Sequence, residues 1–306
     1  MSLSAILGLG QTALELALFN SLTVLALFLS YTMLNVCDLS TDGCYALGAA
    51  VGAVVAIAGH PWLSIPAAMA AGMLSGLVTA VLQTRMGVNS LLAGIIVNTG
   101  LYSVNIWIMG GSSLLNMNKT ETVFTQLKAV LKDTPLAGSY ALIIGLIAVA
   151  AVILFQSAFL RTKLGLAIRA TGDNPDMVRS SSIDPVFTTT VGLCISNSFT
   201  ALSGCLLAQS QKSTTVDIGS GMVTVALASL LIGNVFLGRK SIPVRAVGAV
   251  LGAFVFRLVY TIALRFNLPA FMLKLISSII VVIAISGPYL RSQWPLIKRR
   301  FGKAGA

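Results

Sequence analysis

The chain has 306 residues, of which 56% are hydrophobic and only 9% are charged, and its formal net charge is +11. A soluble domain carries about 25% charged residues, so this composition excludes a soluble globular protein and indicates a membrane protein with helical spans. Apart from Arg257 and Lys274, which fall within predicted spans, the basic residues lie in predicted loops and in the tail 291–303. There they indicate topology and contact with anionic lipids of the bilayer, and not nucleic-acid binding.

The apolar segments predict an all-α polytopic membrane protein, because a helix needs about 20 apolar residues to cross a bilayer. Such segments lie near residues 13–34, 43–59, 63–84, 90–110, 138–159, 187–209, 222–237, 244–263 and 268–287, which makes about nine spans. The second and seventh are short and follow polar breaks, so we expect discontinuous helices there. We expect residues 1–306 to form a single transmembrane domain.

An internal repeat organises these spans. Asn20-Ser21 is followed by an acidic break at 38–43 and an apolar run, and the same order returns as Asn197-Ser198, an acidic break at 217–221 and an apolar run. The offset between the copies is nearly constant. The pattern predicts repeat 1 at about 13–111 and repeat 2 at about 187–288. Paired repeats with interrupted helices are typical of transporters that work by alternating access.

The distribution of Lys and Arg predicts the orientation. The loop 160–186 and the tail 291–303 are rich in basic residues, which favours the cytoplasmic side and a cytoplasmic C-terminus. Nine spans then place the N-terminus outside, and the two repeats become inverted copies. No charged region followed by a cleavage site is found at the N-terminus, so we expect the first span to be retained.

The loop 160–186 is predicted to contain a short helix. Asn174 or Asp173 can cap it, Pro175 suits the first helical position, and the helix would run about two turns to Ser182. Met177 and Ile183 give it an apolar edge. A short amphipathic helix in a cytoplasmic loop is well suited to a groove on a partner protein.

This loop resembles a known family. The stretch 164–175, LGLAIRATGDNP, looks like the cytoplasmic coupling segment of permeases in the branched-chain amino acid and ribose class of ABC importers. The stretch 38–48, DLSTDGCYALG, resembles the DLTVDGSFALG-like motif of the tryptophan/tyrosine-type branch, from which it departs at Ser40, Thr41, Cys44 and Tyr45. The resemblance covers about residues 10 to 290.

The resemblance implies a set of partners. Two permease copies would form the pore, which we expect to be a homodimer, two cytosolic ABC ATPases would dock on the coupling segment, and an extracytoplasmic solute-binding protein would deliver solute. The chain lacks a G-x-x-x-x-G-K-[ST] loop, so we expect no cofactor on this chain, and ATP and Mg on the partner ATPase. The predicted ATPase-coupling residues are Gly172, Asp173, Asn174, Pro175, Met177 and Arg179.

Polar residues inside apolar spans are the candidates for the substrate pathway. A carboxylate in hydrocarbon costs at least about 2.5 kcal/mol, so Asp38 and Asp42 either cap the half-helix that begins near Gly43 or contact solute. Asn20, Asn98 and Asn197 are further candidates, with interhelical hydrogen bonding as the alternative. No metal site and no set of catalytic residues is predicted.

The sequence therefore predicts a transport subunit without enzymatic activity, located in the bacterial inner membrane, that moves a small solute into the cytoplasm. An amino acid, aromatic or not, is the expected class. An ABC permease for a nucleoside or sugar remains open. So does an ion-coupled secondary transporter in which Asp38 or Asp42 titrates.

Overall fold

The computed structural model describes residues 3–130, 132, 138–237, 241–265, 275, 278–279, 281–282 and 286. Eleven helices and one two-stranded sheet lie within these residues. Seven helical segments are long and apolar enough to cross a membrane, and Thr41–Ile57 is a shorter apolar helix. The predicted ninth span, 268–287, lies almost wholly outside the described residues, so the span count and the repeats stay predictions.

The first helix ends in an unusual turn. Helix α1 (Leu3–Leu27) continues as a π-helix over Phe28–Met33, and Asn35 then takes the left-handed conformation with φ of 55°. Asn tolerates this conformation better than most residues, and it stops the helix. The chain is not helical again until α2 (Thr41–Ile57), so the predicted break before the second span is present.

Three further helices complete the first half of the chain. They are α3 (Ser64–Thr84), α4 (Ser90–Ile108) and the short α5 (Val123–Val130), and strand β1 (Leu114–Asn116) lies between the last two. Helix α5 is held by Phe124, whose ring meets that of Phe19 edge-on at 5.6 Å, and by a hydrogen bond from the Val123 N–H to Gln209 Oε1 at 3.1 Å.

The loop between the halves contains more helix than the sequence predicted. Helix α6 (Tyr140–Phe159) is followed by α7 (Lys163–Asp173), which the sequence analysis missed, and by α8 (Pro175–Ser180). The predicted helix end at Ser182 was wrong, because α8 ends at Ser180 and Ser182 has φ of 61°.

Helix α9 (Pro185–Gln211) is the centre of the molecule, since most of its residues are buried. Strand β2 (Ser213–Thr215) follows and pairs antiparallel with β1, with Leu115 opposite Thr214. A 3₁₀ turn at Val216–Gly219 leads into α10 (Met222–Leu237), and α11 (Ile242–Arg265) packs against it. Two short helices, α2 and α10, therefore each follow a non-α segment.

Helices α2 and α9 cross with their main chains in contact. A Cβ atom at Gly48 would overlap the carbonyl oxygen of Ala201, and one at Gly204 would overlap the carbonyl oxygen of Tyr45. Small residues at a crossing allow this close approach in membrane helices. The crossing fixes the position of α2, and with it the acidic segment at its start.

Helix α9 is long enough to cross a membrane. Its 27 residues span about 40 Å at 1.5 Å per residue, more than the roughly 30 Å of hydrocarbon. Helix α8 precedes its first residue and β2 follows its last, so α8 and the β1–β2 sheet lie at opposite ends of α9.

Candidate functional site

Asp38 lies in the break between α1 and α2 and is almost fully buried, with 1% exposure. Its Oδ1 accepts a hydrogen bond from the Ser40 N–H at 2.8 Å, and its Oδ2 accepts one from Asn197 Nδ2 at 2.8 Å. Asn197 belongs to α9, so the pair joins the break to the central helix. Both carboxylate oxygens are engaged, which is how a buried charge avoids a large desolvation cost.

Asp42 caps a helix, but not the one that the sequence suggested. It lies in the first turn of α2, where the N-cap residue Ser40 makes no side-chain capping bond. Instead the Asp42 carboxylate accepts hydrogen bonds from the N–H groups of Gly221 and Val223 at 2.9 and 2.8 Å. Of the two alternatives that the sequence left open for Asp42, capping of α2 or contact with solute, neither describes these hydrogen bonds. The carboxylate caps α10, where a negative charge is favoured by the helix dipole.

A polar cavity of about 330 Å³ opens beside Asp42, and we call it the acidic cavity. Its lining includes Asp42, Asn98, Tyr102, Asn105 and Asp217. Asn105 Nδ2 donates to the Gly43 carbonyl at 3.2 Å, and Asn105 Oδ1 is buried without a hydrogen-bond partner. Within the described residues the carboxylate of Asp217 makes neither a hydrogen bond nor an ion pair. The lining is therefore rich in acceptors and contains no basic side chain.

A second cavity of about 350 Å³ lies at the start of α10, and we call it the Arg257 cavity. Asn20, Arg257 and Tyr260 contribute to its lining together with Gly221. The Arg257 guanidinium stacks over the Tyr260 ring, with Cζ 4.9 Å from the ring centroid. Ser220 lines both cavities, so they adjoin just before α10.

The predicted pathway residues thus fall into three places. Asp42 and Asn98 line the acidic cavity, and Asn20 lines the Arg257 cavity. Asp38 and Asn197 form the buried pair described above. All three places surround the starts of α2 and α10, although whether solute passes there stays a prediction.

Sequence reasoning missed two contributors to these cavities. Nothing in the sequence singled out Tyr102 as a cavity residue, because an isolated tyrosine in a span is common. Arg257 was visible as an intramembrane charge, but snorkelling to the interface is the usual behaviour of such a residue. Its distance from Asn20 in the sequence concealed their common cavity.

The coupling helix α8 has the predicted cap. Asn174 Oδ1 accepts hydrogen bonds from the N–H groups of Asp176 and Met177 at 3.1 and 3.0 Å, and Pro175 occupies the first turn. Val178 is 1% exposed and anchors the helix, while Met177 is 53% exposed. Arg179 is also exposed. The helix therefore presents an apolar and a basic side chain outward from a buried anchor.

Helix α7 connects this exposed segment to the end of the first span. A Cβ atom at Gly172 would overlap the Met33 carbonyl oxygen and contact Leu34, so the two main chains touch. Ile168 packs in the same cluster as Leu34 and Leu193. Helices α8 and α7 and the residues just before Asp38 thus follow one another in direct packing contact.

Seven long apolar helices, broken segments at the starts of α2 and α10, and polar cavities around them define a polytopic membrane permease. The family described as branched-chain amino acid transport system / permease component matches residues 12–285. The chain belongs to this family and is the permease subunit of an ABC transporter, which confirms the resemblance given above.

Relatives within the family differ in their named solutes. The chain is 28% identical to a tyrosine transport system permease protein of Clostridioides difficile over 267 residues, 87% of this chain and 86% of the relative. It is 28% identical to a guanosine ABC transporter permease of Bacillus subtilis over 63% of this chain and 61% of the relative. It is 26% identical to a fructose import permease of Bifidobacterium longum over 82% of this chain and 72% of the relative. No solved structure matches the chain.

Proposed function

We propose that this permease moves a small solute, specifically an amino acid, into the bacterial cytoplasm, and that partner ATPases drive alternating access through α8. The single observation that carries the coupling is the contact of Gly172 with Met33 and Leu34. It gives an ATPase docked on α8 a continuous packed route to the break that precedes Asp38. An aromatic amino acid is the first solute to test, since the tyrosine permease is similar over 87% of this chain.

The proposed docking surface is the exposed side of α8. Met177 offers an apolar side chain and Arg179 a cation, on a helix held by Val178. A groove on an ATPase that accepts this helix needs an apolar floor and an acidic rim. ATP and Mg would bind to that partner and not to this chain. Under this proposal α8 lies in the cytoplasm, and the basic tail 291–303 favours the same side for the C-terminus.

The remaining assembly follows from the same proposal. The β1–β2 sheet and α5 lie on the side opposite α8, which is where an extracytoplasmic binding protein would deliver solute. A second permease copy would complete the pore. A homodimer is the simplest form, because one chain then supplies both docking helices.

The test is co-purification of the permease with an ATPase encoded beside it, followed by measurement of ATP hydrolysis. Arg179→Glu combined with Met177→Pro should remove the ATPase from the complex or abolish coupling. Lys119→Glu is the matched charge reversal, because Lys119 is also exposed and lies between β1 and α5, away from α8. Retention of a coupled ATPase by the α8 variant would contradict the docking proposal.

Two other functions can be set against this one. A nucleoside or sugar permease has the support of the guanosine and fructose relatives, and uptake assays with these solutes distinguish it. An ion-coupled transporter would need Asp38 or Asp42 to titrate. Membership of an ABC family disfavours it, and both carboxylates are engaged in hydrogen bonds.

A further inference from the structure

Arg257 is a cation within the α11 span that has no anionic partner in the described part of the chain. Its Nε is buried without a hydrogen-bond partner, and its contact with the Tyr260 ring does not neutralise its charge. Charged side chains within membrane spans usually pair with an opposite charge or face a polar cavity. Arg257 lines a cavity, so that cavity is where a negative group can meet it.

Asn20 is the second unpartnered group of the Arg257 cavity. It is only 9% exposed, and its side-chain amide makes no hydrogen bond to any residue that the structure describes. An amide left without a partner at this burial costs free energy unless a ligand or water meets it. The lining also holds Ser220 and Thr224, whose hydroxyl groups can donate. The cavity therefore offers a guanidinium, an amide and hydroxyl donors.

We propose that Arg257 and Asn20 bind the carboxylate of the transported solute, and that this carboxylate defines the substrate class as free amino acids. This inference rests on the proposed function. A guanidinium presents paired N–H donors that match the two oxygens of a carboxylate. A neutral nucleoside or sugar would leave the guanidinium unpaired.

The acidic cavity on the other side of Ser220 fits the same solute class. Asp42 and Asp217 supply negative charge there, and Asn105 Oδ1 is an acceptor without a partner. An amino acid at neutral pH carries one ammonium and one carboxylate group. The two cavities adjoin at Ser220 and offer opposite charges to these groups.

The phosphate of an anionic lipid has the same chemistry as the proposed ligand group. Arg257 lies in a span, so a lipid headgroup is a second source of an oxyanion. The experiment must therefore separate a solute carboxylate from a lipid phosphate. Native mass spectrometry of the complex in phosphatidylglycerol counts retained lipids, while uptake in liposomes of phosphatidylcholine alone removes the anionic lipid.

The test uses the permease with its ATPase and its binding protein, reconstituted in phosphatidylcholine liposomes. The probes are radiolabelled tyrosine, a radiolabelled mixture of the other protein amino acids, guanosine and fructose. The binding protein is the same in every sample, so differences between variants report on the permease. Wild-type complex should take up at least one amino acid in an ATP-dependent manner.

Arg257→Gln should lower that amino-acid uptake about tenfold or more, since a hydrogen-bonded charge pair is lost. Arg257→Lys keeps the positive charge but lacks the paired N–H donors of the guanidinium, so it should recover part of the rate of amino-acid uptake. Asn20→Leu should lower uptake to a smaller extent. Arg245→Gln is the matched control, because Arg245 is on the same helix and contacts the Phe28 ring at 5.7 Å, away from the cavity lining. It should retain wild-type uptake.

Three results would overturn the proposal. One is amino-acid uptake that is equal in wild type and Arg257→Gln. Another is ATP-dependent uptake of guanosine or fructose but of no amino acid. The third is a phosphatidylglycerol molecule that wild type retains and Arg257→Gln loses, with unchanged amino-acid uptake, which assigns the site to lipid. Failure of the proposed function gives a different result, because no ATPase would then associate with the permease. The carboxylate site, which rests on that function, would be rejected as well.

Discussion

The side-chain amide of Asn197 donates a hydrogen bond to the buried carboxylate of Asp38 at 2.8 Å. The two residues come from opposite halves of the chain, and the bond joins the break after α1 to the middle of α9. We therefore expect their main contribution to be to stability. Asn197→Ala should lower the free energy of unfolding by about 1–3 kcal/mol, because it leaves a buried carboxylate oxygen unpaired.

The measurement is thermal unfolding of the purified permease. Asp38→Asn with Asn197→Ala should cost less than the sum of the single changes, as for residues in direct contact. Asn98→Ala is the control, because Asn98 lines a cavity and makes no hydrogen bond within the described residues. Additive costs for the Asp38 and Asn197 changes would show that the bond is not significant.

Asp42 gives a prediction about the start of α10. Asp42→Ala should accelerate hydrogen exchange at the amides of Gly221 and Val223, since both N–H groups donate to the Asp42 carboxylate. The loss of a cap costs about 0.5–2 kcal/mol. Asp217→Ala should leave these amides unchanged. Unaltered exchange in Asp42→Ala would remove the capping role and leave Asp42 free for solute.

Gly172 tests the coupling route. Gly172→Ala should allow the ATPase to bind while abolishing the stimulation of ATP hydrolysis by solute-loaded binding protein, because a Cβ atom would push α7 from Met33 and Leu34. Gly100→Ala is a matched helical control, with no atom within 4 Å of the added Cβ. Normal stimulation in Gly172→Ala would mean that the signal takes another route.

The topology can be measured by cysteine labelling in intact cells. After the four native cysteines are replaced, Lys119→Cys should react with an impermeant maleimide from outside. Ser180→Cys should react only after the cells are opened, because α9 separates the two positions by a full membrane crossing. Labelling of both positions from outside would exclude the proposed orientation of α8.

Local signals were read correctly from the sequence, while contacts between distant segments were not. The cap formed by Asn174 and Pro175 depends on neighbouring residues, and it is present. Asp42 was equally visible as a candidate for capping or solute contact, but its partners Gly221 and Val223 are remote in sequence, so its bonds to the start of α10 could not be predicted. Helix α7 was missed because its glycines, Gly165 and Gly172, are poor helix formers. Both glycines are needed there, because a Cβ atom at Gly165 would overlap Leu160 and one at Gly172 would overlap Met33.

The crossing of α2 and α9 constrains how a path can open. Gly48 and Gly204 bring the two main chains into direct contact, with no side chains between them that could change rotamer to admit water. Separating these helices would lose the contact along the whole crossing at once, so we expect them to move as one rigid block. The acidic cavity and the Arg257 cavity meet at Ser220, just before α10, so we expect a displacement of α10 against this block to join or divide them without disturbing the crossing.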